Sequence, residues 1–437
     1  MTSPMKKDRF GNVHAPGLPY ARGQIISSTQ DDIAKLRSAW KWIELRTAEQ
    51  GEDAVFNLSG LERRLPCEAE DLGLLDDEIA PAIYDPRLTE LALEHFGGTA
   101  GRHGIMLCNR QTAALLVATL IMARPGSTVI GVSASYSHPA VTRAAARAGA
   151  DFVDAVGADG FGDILKKTGD VSLVVLTRLA VSYEILPIDQ IERIVTLAKQ
   201  VGARILVDDA GGARVGPAMF DQPRSLELDV DVACTGLDKY GTIGPRVGLL
   251  GGCAELVDRI RVCAVEFGVE ARPMLYPAVV RSLAQYKPER VRELVATTKA
   301  LAAELKKLLG NRVYETPVIA QLRGEDILEV AMEREGLKGE PAIVPYEATA
   351  ALAMLLLRDH GILTVHFAGL PPGTSALLIK FLPPETVQRF GGARKLALAF
   401  DSAIDTLARM IAKPEDVRQL LFDVPVPAMT AMARSVR

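Results

Sequence analysis

The sequence predicts an α/β protein: a large domain with a mostly parallel sheet covered by helices, joined to a smaller C-terminal α+β domain. Three observations predict it. At 437 residues the chain exceeds one ordinary hydrophobic core. Between about residues 100 and 253, short apolar runs alternate with helical stretches. Beyond about residue 285 helical patterns dominate, with only short strand-like runs between them. The expected organisation is an N-terminal arm and helix over 1–50, a large domain over 51–284 and a small domain over 285–437.

Residues 1–27 are polar, rich in Gly and Pro and without periodicity, which reads as an extended arm. A helix then starts near Ser28 and Thr29, whose hydroxyls cap it ahead of Asp31 and Asp32 in the first turn. Ile33, Leu36, Trp40 and Ile43 recur at helical spacing, an apolar stripe that would pack on the domain or on a partner subunit. Strands are expected at Thr128–Val132, Leu173–Thr177, Arg204–Asp208, Val230–Thr235 and Val247–Gly251. The intervening helices fall at Gln111–Ala123, His138–Ala148 and Ile188–Val201. A long helix follows Pro288, running to about Leu309. Short strands are then expected around Val318–Leu322, Thr364–Phe367 and Ala376–Phe381, with helices at Tyr346–His360 and Gly392–Ile411.

With 48% hydrophobic and 24% charged residues the chain reads as an ordinary globular protein. Fifty basic and 54 acidic residues give a net charge of −4, so no nucleic-acid partner is expected. The longest apolar run, Ala113–Ala123, is too short to span a membrane. The N-terminus has no hydrophobic core behind its charges, so a cytoplasmic location is expected. The cysteines Cys67, Cys108, Cys234, Cys253 and Cys263 form no Cys-x-x-Cys pair and read as reduced thiols. The histidines show no metal-binding spacing, and no metal is expected.

The chemistry concentrates at the predicted strand ends, where open α/β sheets bind ligands. Asp208 closes the run Ile205-Leu-Val-Asp, and Lys239 lies 31 residues on, after the next strand, in Thr235-Gly-Leu-Asp-Lys-Tyr-Gly-Thr-Ile-Gly-Pro-Arg246. A lysine amine that condenses with an aldehyde, and a buried carboxylate facing a protonated pyridine nitrogen, suit pyridoxal 5′-phosphate (PLP). Gly236, Gly241 and Gly244 let the backbone approach a flat ring. Asp209 is the alternative carboxylate, with Ala210 small enough to lie against the ring face. Arg110, Gln111 and Thr112, at the start of a helix, are candidates for the phosphate cup. His138 is the candidate ring-stacking residue, with Tyr136 as the alternative, and Thr235 is a further cofactor contact. Arg178 and Ser182, after the strand Leu173–Thr177, and Arg272, in a polar loop, are the candidate substrate ligands. His366 and Lys380, from the small domain, read as structural ahead of any substrate contact.

Lys239 in Asp-Lys-Tyr-Gly-Thr-Ile-Gly-Pro, Asp208, and Asn109-Arg-Gln-Thr-Ala-Ala resemble fold-type I PLP enzymes, the aspartate aminotransferase superfamily. The likeness covers roughly residues 55–400. Within that superfamily the chain is most similar to the selenocysteine synthase (L-seryl-tRNA selenium transferase) group and its archaeal relatives. That group has Ser-Gly-Asp-Lys near Gly-Gly-Pro and an Asn-rich stretch before Ala-Ala. Here Leu237 interrupts the first pattern, and Arg110-Gln111 replaces asparagines in the second. The resemblance implies that Lys239 forms the internal aldimine, that Asp208 pairs with the pyridine nitrogen, and that sites form in a homodimer or larger assembly. The function expected is a PLP-dependent lyase or group-replacing transferase acting on a small amino acid through a Cα carbanion. Alternatives are an aminotransferase and a transfer-RNA-dependent aminoacyl-modifying enzyme of the selenocysteine synthase type.

Overall fold

The computed structural model describes residues 6–424. In chain order its strands are β1 (Phe56–Asn57), β2 (His103–Cys108), β3 (Thr128–Ser133), β4 (Asp151–Val156), β5 (Val171–Leu176), β6 (Arg204–Asp208), β7 (Val232–Gly236), β8 (Gly248–Cys253), β9 (Val313–Glu315), β10 (Ile319–Leu322), β11 (Ile362–Leu363) and β12 (Leu377–Lys380). The chain divides into two compact units. One is Leu61–Leu294; the other joins the N-terminal segment up to Gly60 to the chain from Val295 onward. The expected boundaries at 50 and 284 therefore differ from those of the two units. The second division falls inside the helix Pro288–Leu309, where sequence periodicity has no break to reveal.

In the unit Leu61–Leu294, seven strands form one sheet in the order β2-β8-β7-β6-β5-β3-β4. The five strands from β7 to β4 run parallel, and β8 is antiparallel to both β7 and β2. Alternation along the strands splits the apolar side chains between two cores. Ile130, Val132, Val174, Leu176, Ile205 and Val207 belong to one core, with Phe96, Phe161 and Ile191 from helices. Val129, Leu173, Val175, Leu206 and Cys234 belong to the other, with Leu115, Val117 and Ile260. A sheet buried on both faces exposes only its strand ends to a ligand. Two strands of this sheet, β2 and β4, are not among those the sequence predicts. Asp151–Val156 lies at the sheet edge and buries only Ala155 fully, so its apolar signal is weak.

The other unit holds an antiparallel sheet in the order β12-β10-β9, while β1 pairs in parallel with β11. The helix Pro345–His360 is buried from Pro345 to Leu357. The strand expected at Thr364–Phe367 is instead a short 3₁₀ turn, Val365–Phe367, following β11. The helix Thr29–Gln50 starts where its caps predict, Ser28 and Asp31 forming a reciprocal capping box. Its expected apolar stripe is only partly right. Leu36 and Ile43 pack on the core, but Ile33 is 42% and Trp40 58% exposed. The fully covered positions are Asp32, Lys35 and Ala39, with Ser38 close behind.

That polar face is buried because it is paired. Lys35 Nζ lies 3.1 Å from Asp32 Oδ1, 3.3 Å from the Tyr346 hydroxyl and 3.2 Å from His366 Nε2. The Tyr346 hydroxyl donates to Asp32 Oδ1, and Arg22 pairs with Asp32 Oδ2 at 2.8 Å. Burial pulls the Lys35 amine down to about 8 against the attraction of Asp32. Asp32 is thus the anion that two buried or half-buried cations share. Asp32→Ala should lower the unfolding free energy by about 3–5 kcal/mol in chemical denaturation, the cost of stranding a buried charge.

Candidate active site

Asp208 ends β6, and β7, its parallel neighbour, leads through Gly236 to Lys239. Gln111 begins the helix Gln111–Met122 that follows β2. Its carboxamide joins the other two residues. Lys239 Nζ donates to Gln111 Oε1 at 3.1 Å, and Gln111 Nε2 donates to Asp208 Oδ1 at 2.7 Å. The helix start can lie this close because residue 248 is glycine. A Cβ on Gly248 would come within 2.7 Å of Gln111 Cα and N. A Cβ on Gly236 would stand 3.3 Å from Gln111 Oε1.

Asp208 is 3% exposed, and burial raises its carboxyl to about 6 while Lys239 opposes the rise. Burial likewise lowers the Lys239 amine, helped by Arg214 and Arg63 and opposed by Asp238 and Asp208. Asp209 has the opposite environment. Arg178 Nε donates to its Oδ1 at 3.1 Å, Arg178 Nη2 to its Oδ2, and the Ser225 hydroxyl to Oδ2 at 2.6 Å. Both side chains are fully buried. Arg178 also donates to the Pro223 carbonyl at 2.5 Å. The expectation that Arg178 binds a substrate carboxylate is corrected here: its guanidinium fork is engaged with Asp209 beneath the strand ends. A strand-end arginine reads the same in sequence whether its partner is substrate or protein.

Ser182 lies in the loop after β5. Its hydroxyl is 2.8 Å from that of Ser135 in the loop after β3, and it donates to Glu184 Oε2 at 2.7 Å. His138, in the same loop as Ser135, caps the helix Pro139–Arg147 by accepting from the Ala140 amide at 3.1 Å through Nδ1. Burial, with the nearby charges of Lys239 and Arg143, lowers His138 to about 4. The ring is therefore neutral at physiological pH and near enough to Lys239 to feel its charge. Tyr183 and Tyr240 both hold left-handed backbone, with φ of 64° and 45°, and their hydroxyls meet at 2.6 Å. The Tyr240 ring packs where a side chain on Gly211 would clash, 2.3 Å from a Cβ there. Sequence reading missed this pair, since no local pattern encodes a contact between loops 57 residues apart.

The Thr235 hydroxyl donates to the carbonyl of Ala210 at 3.3 Å, tying the ends of β7 and β6 together. Arg110 is the extended residue before the helix, and Thr112 in the first turn is exposed. Two further arginines join Arg110. Arg63 bridges in parallel to Gly244 and pairs through Nε with Asp238 Oδ2 at 2.7 Å. Arg246 retains considerable exposure, yet partial burial and the charges of Arg63 and Arg110 lower it to about 10. Burial works against Asp238, but Lys239 and Arg63 hold it below the usual carboxylate range. Arg272, expected at the substrate, pairs with Asp77 on the surface and is 71% exposed. Cys108 and Cys234 are buried, and no group of side chains suited to a metal ion occurs among the described residues. No described helix is long and apolar enough to cross a membrane.

No protein-family model matches the chain. It is 32% identical over 402 residues to a UPF0425 pyridoxal phosphate-dependent protein of Methanothermobacter thermautotrophicus, covering 91% of this chain and 100% of that relative. The chain belongs to this family of PLP-dependent proteins. Among solved structures it is similar to the PLP-dependent cyclase OrfR (TM-score 0.59, 15% identity, covering 84% of this chain and 97% of that one). It is also similar to the serine palmitoyltransferase of Sphingomonas wittichii (TM-score 0.54, 18% identity, 86% and 84% covered). At these identities the likeness is one of fold, and the fold is that of type I PLP enzymes.

The two adjacent aspartates of this UPF0425 protein should separate by mutation. Asp209→Asn strands the buried Arg178 and should cost about 3–5 kcal/mol of stability. Asp208→Asn removes a buried charge. Because the folded carboxyl titrates above its unfolded value, the cofactor-free wild type loses stability from Asp208 as pH rises from about 4 to about 6. Asp208→Asn should therefore gain on the wild type across that window, read from urea unfolding at each pH.

Proposed function

We propose that this protein is a PLP-dependent lyase or group-replacing transferase acting on a small amino acid, with Lys239 as the lysine that binds the cofactor. The observation that supports it most directly is the Lys239–Gln111–Asp208 chain at the ends of β7 and β6. The residues fit the cofactor on two counts. Asp208 is a buried carboxylate whose side-chain hydrogen-bond partner is the neutral Gln111 amide, an environment that a pyridinium would complete. Gly236 and Gly248 let the helix start at Gln111 lie against the strand ends that carry Asp208 and Lys239, where any side chain would push it away.

When bound, the cofactor supplies an electron sink conjugated to the amino-acid Cα. In this reading Asp208 would pair with its ring nitrogen, and Ala210 and the neutral His138 ring would pack against it. Arg110, Arg246 and the first turn at Gln111 and Thr112 hold its phosphate. Arg63, held against Asp238, adds positive charge to the same corner. Lys239 would also be the base that moves the proton at the substrate Cα, and its lowered affinity for protons suits that work. Gln111 orients both Lys239 and Asp208. Arg178 acts through Asp209, fixing the backbone beside Asp208, and Ser182, in the loop after β5, stands where a substrate would enter. The site is proposed to be completed in a homodimer, as the family resemblance implies.

Lys239→Ala should abolish turnover while leaving folding intact. Incubation with a panel of amino acids carrying leaving groups at Cβ should release that group without any added keto acid. Strict dependence on a keto-acid acceptor, with amino transfer, would instead make the protein an aminotransferase. Retention of turnover in Lys239→Ala would reject the assignment of the lysine.

A further inference from the structure

Arg214 lies outside every motif discussed so far, yet it is among the largest wholly buried side chains of the protein. It stands in the first turn of the helix Gly212–Phe220, which begins just beyond Asp208 and Asp209. The tight entry to that helix depends on Gly212. A Cβ there would come within 2.1 Å of Asp209 Oδ1 and 2.9 Å of Arg178 Cβ. From this position Arg214 Nη1 donates to the Thr235 hydroxyl at 3.1 Å and to the Gly236 carbonyl at 2.9 Å. Those are the last two residues of β7, immediately before the segment that presents Lys239. Its Nε and Nη2 are buried and meet no hydrogen-bond partner among the described residues. A guanidinium that makes no ion pair keeps most of its field.

We propose that Arg214 is a positioning residue for Lys239, clamping the strand end that carries the lysine and holding a fixed positive charge near its amine. The chemistry gives this a purpose. A lysine must lose its proton to attack a carbonyl carbon, or to accept a proton from Cα, and a neighbouring cation favours the neutral amine. Arginine suits the role better than lysine, because a buried guanidinium keeps its proton more firmly than a buried ammonium would. The charges around the pair agree. The charges acting on Lys239 are those of Asp238 and Asp208, which hold its proton, and of Arg214 and Arg63, which oppose it, while Lys239 in turn acts on His138. Arg214 is surrounded by Tyr286, Asp238, Asp209 and Tyr240, and its charge also reaches His95, whose ring is held neutral by burial. Burial lowers Arg214 itself to about 10, which leaves it charged at neutral pH.

The inference rests on the reading of Lys239 as the cofactor lysine, and the test separates the two. The visible absorbance of the lysine-bound cofactor is titrated with pH in the purified holoprotein, in Arg214→Gln, Arg214→Met and Arg214→Lys, and in Lys239→Ala. Removing the charge stabilises the protonated nitrogen, so the midpoint should rise by about one pH unit, a tenfold change in proton affinity, in the Gln and Met variants. It should stay near the wild-type value in Arg214→Lys, which keeps the charge. Neutral variants that fold, bind the cofactor and titrate like the wild type would overturn the proposal. Should neither neutral variant fold, Thr235→Val removes one of the clamp contacts; an unmoved midpoint there overturns it as well. A Lys239→Ala protein that kept the same titrating band would sink the lysine assignment instead. Loss of that band, with unmoved midpoints in the Arg214 variants, rejects Arg214 alone.

Discussion

The site depends on one side-chain amide. Gln111 accepts from Lys239 and donates to Asp208, so a single carboxamide fixes the separation of the amine and the carboxylate. The geometry requires that three chain segments converge: the ends of β6 and β7, and the start of the helix after β2. The backbone makes the convergence feasible, because Gly248 in β8 lets the helix start lie against the sheet. Both faces of that sheet are sealed by apolar helices, so polar chemistry has no outlet except the strand ends.

Adjacent aspartates at one strand end illustrate how the fold assigns roles. Asp209 is neutralised by Arg178 and anchored by Ser225 in a fully buried cluster. Asp208 hydrogen-bonds to a neutral amide, so burial raises its carboxyl and leaves it in need of a cation. In the proposed function, the protonated pyridine of PLP would be that cation. Opposing environments for neighbouring groups are the usual way a protein keeps one carboxylate structural and the other reactive.

Much of the fold and part of the site were legible in the sequence. β6 was read to the residue, and β3, β5, β7 and β8 to within two, because strands buried on both faces of a sheet are short, largely apolar runs. The same runs put Asp208 at the end of β6 and Lys239 just after β7, which is where the structure has them. The edge strand β4 escaped because only Ala155 is fully buried and three of its six residues are exposed, which leaves no continuous apolar run. Gln111 was found as a residue but its bridging role was not, since side-chain direction at a helix start is a tertiary property. Arg178 was placed at a strand end, but its partner Asp209, 31 residues away, was not. The helix Thr29–Gln50 gave the sharpest lesson: its covered face is polar, built on Asp32 and Lys35, while Trp40 faces solvent. Hydrophobic periodicity has no means of signalling a buried ion cluster.

The central claim is that Lys239 is the residue joined to the cofactor. Reduction of the purified holoprotein with borohydride makes that bond permanent, and peptide mass spectrometry then locates it. The account predicts a pyridoxyl phosphate adduct on the peptide containing Lys239. An adduct on a different lysine, or a bound cofactor with no adduct at all, would contradict it.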